Sequence, residues 1–164
     1  MTVKKPQWLP EMVSTNGSWD DVLAQLYFIF ERDFKKTQRE FQIYRVCWDT
    51  RILEGGCYEE GFWHLITRTE GKSQERLLDP RRAERLPWCG PTISNCQDAA
   101  VRVWDYQESH GHLRTYLWLE AWDYVIILEK GGRPERQLVF LITAFHVDGD
   151  SQRRSLRRKY QQHP

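Results

Sequence analysis

The sequence predicts an α+β domain: an N-terminal helix, a mainly antiparallel sheet of about four to five strands, and a short basic C-terminal helix. Three observations carry this expectation. Apolar residues recur with a helical period after Ser18, three β-rich runs crowd into residues 113–147, and a charged segment at helical spacing closes the chain. At 164 residues the chain fits a single domain, 1–164.

Residues 1–16 contain Pro6, Pro10 and Asn16, with little periodicity, and read as an irregular lead-in. Ser18 has the chemistry of an N-cap, and Asp20 and Asp21 suit the positive end of the helix that follows. Trp19, Val22, Leu23, Leu26, Tyr27, Phe30 and Phe34 keep a 3.6-residue period, which places a helix over 19–37. Lys35 and Lys36 fit its C-terminal end. The core region, 41–162, then opens with a strand at 41–48 and a turn-rich connection broken by Gly55 and Gly56.

The stretch FWHLITR, 62–68, reads as a second strand. On it Phe62, His64, Ile66 and Arg68 would share one face. Asp79 and Pro80 announce a short helix that Pro87 should end. Residues 89–107 are ambiguous, with a strand expected near 101–106. The runs 113–121, 122–130 and 137–147 read as strands. Gly131 and Gly132 supply a hairpin signal between the last two. The 137–147 run is apolar at both parities and predicts a central strand covered on both faces.

Composition narrows the function classes. The net charge is +1, so no global field draws the protein to nucleic acid, and any basic surface must be local. Cys47, Cys57, Cys89 and Cys96 form no C-x-x-C pair, which weakens zinc-ribbon and thioredoxin readings. There is no signal-like N-terminal segment and no run of roughly 18 apolar residues that would span a membrane. A cytoplasmic protein with reduced thiols is expected. Gly-rich phosphate loops, G-x-S-x-G and H-E-x-x-H are lacking. No cofactor and no metal are expected.

Five histidines form the first chemical inventory. His163 stands at the extreme end, where disorder is expected. His110 and His112 flank a glycine in a polar loop and lack an evident third metal ligand. His64 and His146 each fall within or at the end of an apolar run. A histidine pair suits RNA cleavage by 2′-OH attack, one imidazole taking the hydroxyl proton and the other protonating the departing 5′ oxygen. Arg68 and Arg114 on neighbouring strands would hold the phosphate and stabilise its charge. A Cys89–His nucleophile is conceivable but unspecific.

After His146 the chain turns through Asp148-Gly149-Asp150 into five positive charges within 153–159. At helical spacing, Leu156 and Tyr160 form a narrow inward face, and Arg153, Arg154, Arg157, Arg158 and Lys159 occupy the rest. This is either a docked, solvated helix or one side of an RNA site. Docking alone would pair these charges with acidic residues of the same chain, such as Glu59, Glu60 or Asp150. Asp79, Arg81, Arg82, Glu84 and Arg85 read as a charged exposed helix face.

Taken as a set, YEEGFWHLITR, DPRRAERLPW, RTYLWLEAWDYVIILEK and FLITAFHVDGDSQRRSLRRKY resemble a phage- and mobile-element-associated group. The group belongs to the Barnase–EndoU–colicin E5/D–RelE-like nuclease superfamily. The resemblance covers roughly residues 41–162 and implies N-terminal helices followed by a four-stranded antiparallel sheet. It also implies a metal-independent ribonuclease, often a toxin, with a histidine on an early strand and polar residues on the last. Carried over, His64 matches the early histidine, and Thr143 and His146 match the last-strand positions. Arg68 and Arg114 would bind phosphate, and Lys159 and Tyr160 would close the site from the terminal helix; the basic run itself offers Arg157 and Lys159 as further phosphate ligands. The expected partners are RNA and, for a toxin, an immunity or antitoxin protein; the rival is an inactive module that binds RNA or protein. Thr143 and His146 have opposite parity, so they share one site only if the strand ends or bulges near Phe145.

Overall fold

A computed structural model describes residues 3–70 and 75–162 of the chain; His163 lies outside them. Helix α1 spans Trp19–Phe30 and starts as expected, with the Ser18 side chain accepting from the Asp21 amide. A wider π-helical turn, Glu31–Lys35, extends it. Gln42, with φ of 53°, splits the first expected strand into β1 (Glu40–Phe41) and β2 (Tyr44–Cys47).

The segment expected as a second strand is a helix, α2 (Glu60–Ile66), followed by strand β3 (Thr67–Glu70) and its partner β4 (Glu75–Leu78). Phe62, Leu65 and Ile66 recur at helical spacing and are fully buried, and that burial overrides the alternating pattern. Gly61 lets the helix seat on Trp48, since a Cβ at Gly61 would stand 2.8 Å from the Trp48 Cβ.

Asp79 caps α3 (Pro80–Glu84) by accepting from the Arg81 and Arg82 amides. Pro87 does not end the helical region. It sits in the first turn of α4 (Leu86–Ser94), where a missing N–H is tolerated. The remaining elements are β5 (Arg102–Gln107), β6 (Leu113–Leu119), β7 (Tyr124–Arg133), β8 (Arg136–His146) and α5 (Asp150–Gln161). The hairpin between β7 and β8 turns at Pro134 and Glu135, so Gly131 and Gly132 lie in the strand.

The fold is α+β with a mainly antiparallel sheet. Among the described residues the main sheet has six strands, rather than four or five, in the order β1-β2-β8-β7-β6-β5, and only its β2–β8 pair is parallel. The inner face carries Leu117, Leu119, Ile126, Leu128, Val139 and Leu141 against α1, α2 and α4. The outer face carries Trp104, Tyr116, Trp118 and Val125, covered by α5 through Leu156. Strand β8 is not covered on both faces throughout: Phe140 on its outer side is 40% exposed.

Two irregularities in β8 shape the functional region. Ile127 of β7 pairs with Thr143 and Leu128 pairs with Leu141, leaving Ile142 as an extra, bulged residue. Of β8, strand β2 pairs only with Leu138–Phe140. Beyond Phe140 that edge of β8 lies against α2 and α3 instead.

Candidate functional site

The end of α2, strand β3, helix α3 and the β8 bulge surround a cavity of about 320 Å³. Its described lining includes three arginines, Arg68, Arg76 and Arg82, and three threonines, Thr67, Thr69 and Thr143, together with His64 and Ile142. No carboxylate lines it among the described residues. Each guanidinium has an acidic neighbour that is not part of the lining. Glu60 holds Arg76 at 2.5 Å, and Asp79 lies 3.4 Å from Arg82 and 3.9 Å from Arg68.

Arg82 fixes the geometry. Its Nη1 donates to the Thr67 carbonyl at 2.8 Å, to the Thr143 hydroxyl at 3.3 Å and to the His64 carbonyl at 3.4 Å. The Thr143 hydroxyl donates to the same His64 carbonyl at 3.0 Å. The negative end of α2 points here, and the buried guanidinium offsets it. Sequence reasoning placed Arg82 on an exposed charged face. The missed signal is spacing: Arg82 stands beside Ala83, the buried residue of α3, and four residues before Leu86, which opens α4 in the core.

His64 is half exposed. Its Nε2 lies 3.8 Å from a Glu60 oxygen, one helical turn earlier. Burial lowers its pKa below the usual imidazole value, and the opposing pull of Glu60 does not restore it. The ring is therefore neutral at pH 7 and able to accept a proton. Arg76 holds the Glu60 carboxyl below its usual range, so that group stays ionised.

The structure thus brings His64, Arg68 and Thr143 together. His146 stands elsewhere. The bulge precedes Thr143, so residues 143–146 run as regular strand and alternate faces. Thr143 shares the outer face with Phe145, whereas His146 shares the inner face with Ala144. Burial, Arg85 and Arg81 lower the His146 pKa. Asp123 and Asp148 are its acidic neighbours, and none of these lines the His64 cavity. The expected pair of converging imidazoles is therefore not assembled.

The terminal helix is also placed away from His64. Arg153 binds Asp123 at 2.7 Å and Asp150 at 2.8 Å, and Arg157 reaches Glu120 at 3.3 Å. Lys159 contacts the Tyr116 hydroxyl at 3.0 Å and Glu108 at 3.5 Å. Tyr160 packs edge-on against Trp104, with the Arg102 guanidinium over its ring. This internal pairing is what a docked helix requires. Its main acidic partners, Asp123, Glu120 and Glu108, lie on or beside the sheet; Glu59 and Glu60 serve Lys35 and Arg76 instead. Arg114 is tied to Glu129 at 2.8 Å, on the outer face of the sheet.

Other candidates settle simply. Cys89 is fully buried, and burial pushes its thiol up to about 12, which leaves no nucleophilic thiolate. All four cysteines are free thiols. His112 lies 3.0 Å from Glu129, and among the described residues no three His, Cys, Asp or Glu side chains group as a metal site. No helix among the described residues is long and apolar enough to cross a membrane. No family model matches the chain. No curated protein matches it, and neither does any solved structure.

Proposed function

We propose that the protein is a ribonuclease-like domain that binds an RNA phosphodiester in the His64 cavity and cleaves it without metal. The observation that carries this reading is the cavity's lining: three arginines, three hydroxyls and one neutral imidazole, with no carboxylate among the described residues. Such a lining attracts an oxyanion and has donors ready for charge that develops on phosphorus. His64 would take the ribose 2′-OH proton. The freed oxygen attacks phosphorus, and the bond to the 5′ oxygen breaks. That oxygen takes a proton from water, the hydroxide so formed takes the proton held by His64, and the products are a 2′,3′-cyclic phosphate, a 5′-hydroxyl and the neutral imidazole. The resemblance of the quoted segments to the phage-associated nuclease group supports the reading.

The test is incubation of labelled RNA with the protein in EDTA, followed by analysis of the fragment ends. Fragments ending in 2′,3′-cyclic phosphate are expected. Arg68→Ala should weaken substrate use about tenfold or more, the loss of one charge-assisted contact. One imidazole in the cavity also favours a second reading, a module that binds RNA without cutting it. Salt-sensitive binding with RNA left intact would assign that function instead. RNA neither bound nor cut would remove both.

A further inference from the structure

His64 walls two cavities. Beside the anion cavity lies a second, of about 520 Å³, whose lining has a different chemistry. Trp48, Phe140, Leu141 and Ile142 give it an apolar floor, and the Asp49 and Glu129 carboxylates stand around it. Arg51 also lines it but is held by Asp49 at 2.6 Å, and Arg114 and His112 both bind Glu129. With its one lining guanidinium bound to Asp49 and an apolar floor, this cavity offers phosphate far less than its neighbour and suits an uncharged, flat group next to a phosphate.

Phe140 supplies the platform. Its ring lies over Gly131 of the adjacent strand, where a Cβ would meet the ring at 3.4 Å. The missing side chain lets the ring rest on the backbone while 40% of the residue stays open to solvent. An aromatic ring laid on an open sheet face is how proteins stack single-stranded bases.

We infer that the second cavity is the nucleobase subsite for the nucleotide whose 2′-OH faces His64, with the base stacked on Phe140 and its N–H edge toward Glu129 and Asp49. This rests on the proposed function, since it takes the neighbouring cavity as the phosphate site. The imidazole at the shared wall then stands between base and phosphate, where the ribose must lie.

The test compares two uncleavable ligands, a 2′-O-methyl oligoribonucleotide and an abasic backbone of equal length, by fluorescence anisotropy. The base-bearing ligand should bind tighter by about tenfold or more, the scale of one stacked base. Phe140→Ala should close that gap, and Phe140→Tyr should restore it. Gly131→Val, which lifts the ring from its seat, should narrow it. Equal binding of both ligands, or a gap unchanged in Phe140→Ala, would overturn the base subsite while leaving the phosphate cavity in place. If neither ligand binds, the phosphate reading itself fails and the subsite with it.

Discussion

Burial lowers the His64 pKa below 6.5, and this has two consequences at the scale of the residue. As a general base the ring must be neutral, so cleavage should rise with pH and reach half its plateau below pH 6.5; a pH–rate profile of kcat/KM measures this. A midpoint above 6.5 would require another base. His146 is shifted in the same direction, so both rings bind protons more readily in the unfolded chain. Stability should therefore rise with pH through the region just below 6.5 and be lost as pH falls. Thermal melts between pH 5 and 7 should show that slope, flattened in a His64→Gln, His146→Gln double variant. Arg82 is the residue with most to lose. Its guanidinium is largely buried and holds three acceptors, so Arg82→Ala should destabilise the fold as well as empty the cavity of one cation.

At the scale of the element, α5 shows how a legible feature can mislead. Its Leu156–Tyr160 face and its charges are readable in sequence, but which acids neutralise them depends on pairings across the fold. Leu156 is buried against Trp104 and Trp118, and Leu156→Ala should cost about 2–4 kcal/mol in chemical denaturation. Helix α1 is legible because it keeps one clear period, and the last three strands because they are β-rich runs broken by turn residues. Helix α2 is not, because seven residues hold too few turns to separate a helical triplet from alternation. Reading α2 as a strand still joins His64 to Arg68, since the chain passes from helix to β3 between them. The β8 bulge has no sequence signal, and it sets which side of the sheet Thr143 and His146 face.

Taken whole, the molecule has a net charge of +1, and Arg153, Arg157 and Lys159 of its terminal helix are paired with acids of the same chain. Long-range attraction for RNA is therefore small, and if phosphate sits in the His64 cavity, its local electrostatics come from the three arginines that line it. For single-stranded RNA this predicts a log–log salt slope of about −2; a slope near −5 would mean that α5 also engages phosphate. If one cavity, centred on His64, holds the phosphodiester, then the second imidazole lies outside the reaction. Single-turnover cleavage of RNA in EDTA by His64→Ala and His146→Ala, side by side, decides this. A loss on the order of 100-fold or more is expected for His64→Ala, with near wild-type rates for His146→Ala. Equal losses in the two variants, or a larger one at His146, would refute the single-imidazole site.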